Sequence, residues 1–223
     1  MNKKTVLFAM MIILIFSFKA MATNELGIKF GLNELDSQDE KLKGGVLILK
    51  SNELTPYNLY EELFVRDSFA KNGDYGFNIL DVLFYNKADS FSKDSYMGWG
   101  IKRIFLDNST ASDFWFTTDI TGYLLPISLR IGKEINDNLE LVLVGDYFAI
   151  GKYEMLVPGD NGEGNIDGYS ASFEINFRLS ESFKLNATYI LENYNFDKDD
   201  DIIGYSDFSE GYHGIYLGAQ MVW

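Results

Sequence analysis

The sequence predicts an all-β fold: an antiparallel up-and-down barrel that crosses a membrane, with eight strands, or ten on the alternative count. Three observations carry this. Apolar and polar residues alternate with period two over long segments, most strictly from Tyr169 to Leu191. The chain stops on an oily strand whose last residue is the aromatic Trp223. Composition runs to 18 Phe, 14 Tyr and 20 Gly in 223 residues, while no segment after residue 22 holds the continuous apolar run of roughly 18 residues that a membrane helix needs.

The chain opens with a leader. Asn2, Lys3 and Lys4 form a short basic start, Thr5 to Phe18 is an apolar run, and Ala20-Met21-Ala22 supplies the small residues of a cleavage site. The run is about 14 residues, short of the roughly 20 that span a bilayer. Residues 1–22 therefore read as a secretory signal peptide cut after Ala22, and residues 23–223 as one barrel domain. The leader carries Lys3, Lys4 and Lys19 and no acid, so its loss makes the formal charge of −14 more negative by three. Such an acidic balance argues against a nucleic-acid partner, because phosphates must be met by Lys and Arg. With no Cys and one His, thiol nucleophiles, disulfides and multi-histidine metal sites are excluded as well. No cofactor, metal site or catalytic residue is assigned.

The strands follow in order. Leu26, Ile28, Phe30 and Leu32 alternate with small or polar residues. Shorter candidates lie at Gly45 to Lys50 and Asp74 to Tyr85, and Met97, Trp99 and Ile101 form a further row. Tyr57 to Phe69 fits poorly and reads as a loop, a strand or a short helix. Leu125 to Ile131 alternates, with Pro126 marking an irregularity or bulge because it cannot donate to a ladder, and Asp113 to Lys133 holds one strand or two. After a turn at Asn136-Asp137-Asn138, Leu139, Leu141 and Leu143 continue, which sets Glu140 beside Arg130 for an ion pair. In the clearest hairpin, Glu181 is the apex. Leu179 then faces Phe183, Phe177 faces Leu185, Ile175 faces Ala187 and Phe173 faces Tyr189, with Glu174 near Lys184 and Ile190 breaking the pattern. Both oily rows fall on one side, as a sheet with one lipid face requires.

The polar insertions are Asn33 to Lys41, Asn86 to Ser95, Pro158 to Asp167 and Asn195 to Glu210. The last two belong on the long-loop, extracellular side. Pro158 to Gly164 reads as a hairpin loop. The acidic set Asp197, Asp199, Asp200, Asp201, Asp207 and Glu210 reads as a solvated loop; a calcium loop is the alternative, but Ile202 stands where the sixth-position Gly of an EF-hand belongs. Lumen charges of both signs (Glu174, Arg178, Lys184, Glu192, Arg130 and Glu140) are expected to pair and fill the interior.

In the last strand Ile215, Leu217, Ala219, Met221 and Trp223 alternate with Gly214, Tyr216, Gly218 and Gln220. This ending resembles the C-terminal assembly signal of outer-membrane β-barrel proteins, and in length and pattern the chain resembles the small barrels of the OmpA-barrel and OmpX type. The resemblance implies a place in the bacterial outer membrane, recognition of the end segment by the barrel-assembly machinery, and contact with outer-membrane lipids and lipopolysaccharide as a monomer. The expected function is that of a non-enzymatic barrel serving envelope integrity, surface contact or a narrow pore. Two alternatives stand beside it: a lipid-modifying enzyme that uses His213 with a nearby Ser such as Ser206 or Ser209, and a specific porin.

Overall fold

The computed structural model describes residues 24–36, 41–52, 60–72, 75–88, 94–107, 119–157, 160–198 and 207–223. The leader, with Ala20 and Ala22, lies outside the described residues. The twelve strands are β1 (Asn24–Leu35), β2 (Lys41–Ser51), β3 (Glu62–Asn72), β4 (Tyr75–Lys87), β5 (Ser95–Asp107), β6 (Asp119–Leu124), β7 (Ile127–Asn136), β8 (Leu139–Phe148), β9 (Gly151–Val157), β10 (Asp160–Ser180), β11 (Phe183–Lys198) and β12 (Phe208–Val222).

Every neighbouring pair is antiparallel, and the sheet closes on itself. β12 pairs with both β11 and β1. At the seam the Asn24 N–H donates to the Trp223 carbonyl at 2.9 Å, and the Trp223 N–H donates back at 3.1 Å. β6 and β7 both lie against β5 and are two pieces of one wall strand; β8 and β9 both lie against β10 and are two pieces of the next. The ring therefore has ten strands, which corrects the expected eight in favour of the alternative. The reason lies largely in Glu62–Asn72. Its outward row is interrupted by Asp67, so its alternation is weak, yet it pairs along its length with β2 and β4.

Pro126 does break the ladder. It sits in the gap between β6 and β7, and the facing gap between β8 and β9 falls at Ala149-Ile150. The Leu125 N–H reaches the Ile150 carbonyl across the two gaps at 3.0 Å. One missing donor thus offsets both strands of the pair rather than one.

The β10–β11 register has Phe177 opposite Leu185, Ile175 opposite Ala187 and Phe173 opposite Tyr189. The turn itself differs from expectation. Ser180, not Leu179, is partnered by Phe183, and the register shifts between Arg178 and Ser180. A two-residue turn at Glu181-Ser182 matches strand twist better than a three-residue one, and the surplus residue becomes a bulge at Leu179. Pro158 to Gly164 is also corrected. Only residues 158–159 fall outside the described strands, and Gly162 and Gly164 lie within β10, paired with β9. Gly164 fits because a Cβ there would collide with the Asp197 carbonyl oxygen.

The turns at Asp137-Asn138 and Glu181-Ser182 share one end of the barrel with Asn24, Trp223 and the 88–94 connection. The connections at 36–40, 158–159 and 199–207 lie at the other end. β10 and β11 run furthest beyond the ring at the second end, which is taken as the extracellular one, and the first as periplasmic. β10 and β11, at 21 and 16 residues, exceed the roughly 9–11 that cross a bilayer at a tilt.

Candidate functional site in the barrel lumen

Alternation sorts the side chains. On β10 the outward row is Tyr169, Ala171, Phe173, Ile175, Phe177 and Leu179, while Ser170, Glu174 and Asn176 are buried inside. The same rule turns Lys29, Arg66, Asp81, Lys102, Arg130, Asp146 and Glu192 into the lumen, each under 10 % exposed. The interior is layered from there.

The middle layer is a closed charge network. Arg66 donates through Nε to Asp81 Oδ2 at 2.7 Å and through Nη2 to Glu192 Oε1 at 2.5 Å. Lys102 Nζ donates to Glu192 Oε2 at 2.7 Å and lies 3.3 Å from Asp81 Oδ1. Two cations thus face two carboxylates, each carboxylate shared by both. The Tyr194 hydroxyl also donates to Glu192, and Lys102 sits 4.7 Å above the Phe148 ring. Beside this group Lys29 pairs with Glu174 and donates to Thr188 Oγ1 at 2.7 Å. In a low-dielectric interior such groups persist only when paired and hydrogen-bonded.

The extracellular layer is apolar and aromatic. Phe196 stacks on Phe208 with centroids 4.5 Å apart, and Tyr153 meets the edge of Phe196 at 5.1 Å. Phe77 packs against Tyr212 at 4.4 Å. Leu35, Leu42, Leu106, Ile120 and Met155 complete the cluster. Ile190, the exception in its strand's pattern, is buried in the lumen beside Ile48 in the same way.

The periplasmic layer is open. A cavity of about 250 Å³ is bordered by Glu25, Lys50, Glu62, Arg130, Glu140 and Lys184, among others. Glu25 holds Lys184 at 2.9 Å and Lys50 at 3.1 Å. Arg130 forms a two-pronged pair with Glu62, its second contact at 2.8 Å, and lies over the rings of Tyr85 and Tyr96 at 4.7 and 4.4 Å.

These pairings correct two expectations. Glu174 meets Lys29 rather than Lys184, and Arg130 meets Glu62 rather than Glu140. Both expectations drew partners from the same hairpin. In a closed lumen the nearest opposite charge can come from a strand distant in sequence, as with Lys29 and Glu174, 145 residues apart. Glu140 instead accepts from Asn176 at 3.2 Å and lies 4.0 Å from Lys184, and Arg178 approaches Glu134 at 3.6 Å. Lys29, Asp81 and Lys102 were not singled out from the sequence. The inward positions of Lys29 and Lys102 follow from the alternation of Leu26–Leu32 and Met97–Ile101, but their partners do not.

His213 projects from the outer face at the extracellular rim. Its Nε2 is 3.4 Å from Glu34 Oε2, Glu34 also holds Lys41 at 3.0 Å, and the Tyr189 ring stands 6.3 Å away. Ser209 is paired in register with Asn195 on the neighbouring strand, and Ser206 lies outside the described residues, as do Asp199, Asp200, Asp201 and Ile202. Ile215, Leu217, Met221 and Trp223 form an exposed outward row with Ala219 between them, against Leu32, Phe30, Ile28 and Leu26 of β1.

A closed ring that is oily outside and charged inside suits strands in lipid: the described wall strands are each paired on both sides, and no sheet edge is left to meet the hydrocarbon. The chain folds as a ten-stranded β-barrel with the surface of one that crosses a membrane. It matches no family model and no curated protein sequence. Among solved structures it is similar to the attachment invasion locus protein Ail of Yersinia pestis, in complex with the heparin analogue sucrose octasulfate, at 12% identity over 92% of this chain and 100% of that one, with a TM-score of 0.42. It is also similar to Neisserial surface protein A, at 11% identity over 89% and 96%, TM-score 0.39. A third similarity is to the translocator domain of the autotransporter NalP from Neisseria meningitidis, at 13% identity over 98% and 96%, TM-score 0.36.

Proposed function

We propose that this protein is a non-enzymatic surface-contact barrel of the bacterial outer membrane, with a lumen closed to solute passage. The observation that carries the reading is the layering of the interior. The paired charges of Arg66, Asp81, Lys102 and Glu192 fill the middle, and the aromatic cluster around Phe196, Phe77 and Tyr212 caps the extracellular side. The periplasmic cavity lies on the other side of the charged layer. Outside, β10 and β11 rise past the lipid band into a polar wall of Asn161, Glu163, Asn165, Asp167, Asn193, Asn195 and Asp197, which favours work at the cell surface over transport.

Conductance in planar bilayers tests the reading. Folded protein is expected to give no steady single-channel steps. Reproducible steps from samples that migrate as folded barrels on unboiled gels would replace it with the porin reading. The same gels test the barrel itself: a fully hydrogen-bonded ring should resist detergent until boiled, so identical mobility before and after boiling would count against the fold.

A further inference from the structure

Around the lipid band, the outward rows are apolar on β10, β11, β12 and β1, and on the β6–β9 side from Tyr123 to Ile131 and from Leu141 to Tyr147. One face departs from this. On β3 the outward row reads Leu63, Val65, Asp67, Phe69 and Lys71; on β5 it reads Met97, Trp99, Ile101, Arg103, Phe105 and Asp107. Asp67 and Arg103 each lie four residues below the rim charge of their strand, roughly 13 Å along it. Other charged outward residues, Lys152 opposite Tyr123 and Lys133 opposite Leu141, lie on the β6–β9 side; Asp67 and Arg103 are the pair of opposite sign on this face below its rim.

The two do not satisfy one another. Both are registered to Leu80 of β4, Asp67 on one side and Arg103 on the other, so two strand spacings, about 9.6 Å, separate their backbones. Asp67 accepts a hydrogen bond from Asn78 Nδ2 at 2.6 Å, which leaves its negative charge unbalanced. Among the described residues Arg103 has no ion-pair partner; its guanidinium lies 6.0 Å from the Phe105 ring. Ionised groups are expensive against acyl chains, and where they occur they face another protein surface or a polar cavity. Exposed Phe69, Ile101 and Tyr123, each about half exposed, frame the pair with apolar contact area.

We infer that the β3–β5 outer face is a pairing surface for a second copy of this chain. Charge complementarity selects that occupant. A two-fold axis along the membrane normal, passing at Leu80, sets Asp67 of one copy opposite Arg103 of the other, and the reverse, so one contact is made twice, as an isologous interface requires. The length of the arginine side chain spans the difference in depth that strand tilt imposes. Lipid packed there would leave both charges unmatched, whereas the pair in the assembly is neutral. The inference replaces the expected monomer and rests on the membrane-barrel reading.

The test is a charge exchange in the full-length protein, expressed in outer membranes, cross-linked in place, then sized in mild detergent. Wild type is expected to run as a dimer. Asp67→Arg and Arg103→Asp should each lose dimer at least tenfold when expressed alone, since each then opposes like charges. Expressed together with different tags, they should capture one another. The arginine introduced in one copy then meets the aspartate introduced in the other, and the Arg103 retained by the first meets the Asp67 retained by the second. Unboiled gels check that each variant folds, which separates failure of the interface from failure of the barrel. Should a reversal not fold, Asp67→Asn and Arg103→Gln read the same loss. A wild type that stays monomeric in membranes, or variants that pair undiminished, would overturn the inference. Monomeric wild type that loses bound lipopolysaccharide on Arg103→Gln would assign the arginine to a lipid headgroup instead.

Discussion

Two regions of the lumen hold the same chemistry in different solvents. In the middle, Arg66, Asp81, Lys102 and Glu192 have side chains 8, 1, 0 and 0 % exposed. At the periplasmic mouth, Glu25, Lys50 and Lys184 are 13, 18 and 12 % exposed and border a cavity of about 250 Å³. Both regions set carboxylates between cations. In the first, no water competes, so each charge depends wholly on its partners and the removal of one strands the others. In the second, the cavity admits solvent that can replace a lost partner, and the pairs behave more like surface ion pairs. The difference teaches that the number of ion pairs says little about what holds this barrel closed; their distance from water says more.

The contrast can be broken by a sequence of substitutions. Glu192→Gln should have the largest effect. It leaves Arg66 and Lys102 sharing Asp81 alone, and removal of one member of a buried ion group costs about 3–5 kcal/mol. The readout is the denaturant midpoint for refolded protein in detergent, and a loss below about 1 kcal/mol would show that the middle layer is wetter than its burial indicates.

Ala187→Arg extends the test to the outer wall. Ala187 lies between Ile175 and Leu217 on the lipid face, where an arginine near the bilayer midplane costs about 2–4 kcal/mol. Ala187→Leu should fold in lipid vesicles about as well as wild type. If the arginine and leucine variants refold alike in vesicles, the faces have been assigned backwards. Glu25→Gln should follow with a loss of at most about 1 kcal/mol in the same detergent assay. A loss equal to that of Glu192→Gln would erase the distinction between mouth and middle.

The smallest stability effect is expected at Trp223. Its ring is 44 % exposed at the seam, so Trp223→Ser should refold in detergent nearly as wild type does, while the amount in the outer membrane falls. Trp223→Phe should keep both. Normal outer-membrane levels after Trp223→Ser would detach the terminal aromatic from assembly.

What could be read in the sequence follows from the same separation of faces. The β10–β11 hairpin and β12 were legible because their lipid rows carry no charge, so period two stands out. β3 was not, because Asp67 interrupts its outward row while Arg66 and Ser68 face inward; three polar residues in succession hide any alternation. The strand count followed that element. Pro126 correctly marked a break, but not that Ala149-Ile150 would share it. The lumen was legible residue by residue and not pair by pair. Glu174 and Glu192 were placed inside, yet their partners Lys29, Arg66 and Lys102 arrive from distant strands through ring closure, which no local spacing encodes. The leader and its cleavage residues Ala20 and Ala22 rest on the sequence alone.

The seam between Asn24 and Trp223 has one more consequence. Because these residues exchange two backbone hydrogen bonds, a short linker can join them, and the chain can be reopened at the Glu181-Ser182 turn without removing a strand. Such a circular permutant would keep every wall pairing and every lumen ion pair. It would end on Phe177-Arg178-Leu179-Ser180 in place of the aromatic-terminated β12. The ring has no inherent first strand; the order in which it is delivered to the membrane is a property of where the chain is cut. A permutant that refolds in detergent but is not inserted in cells would place the directionality of this barrel in its delivery rather than in its architecture.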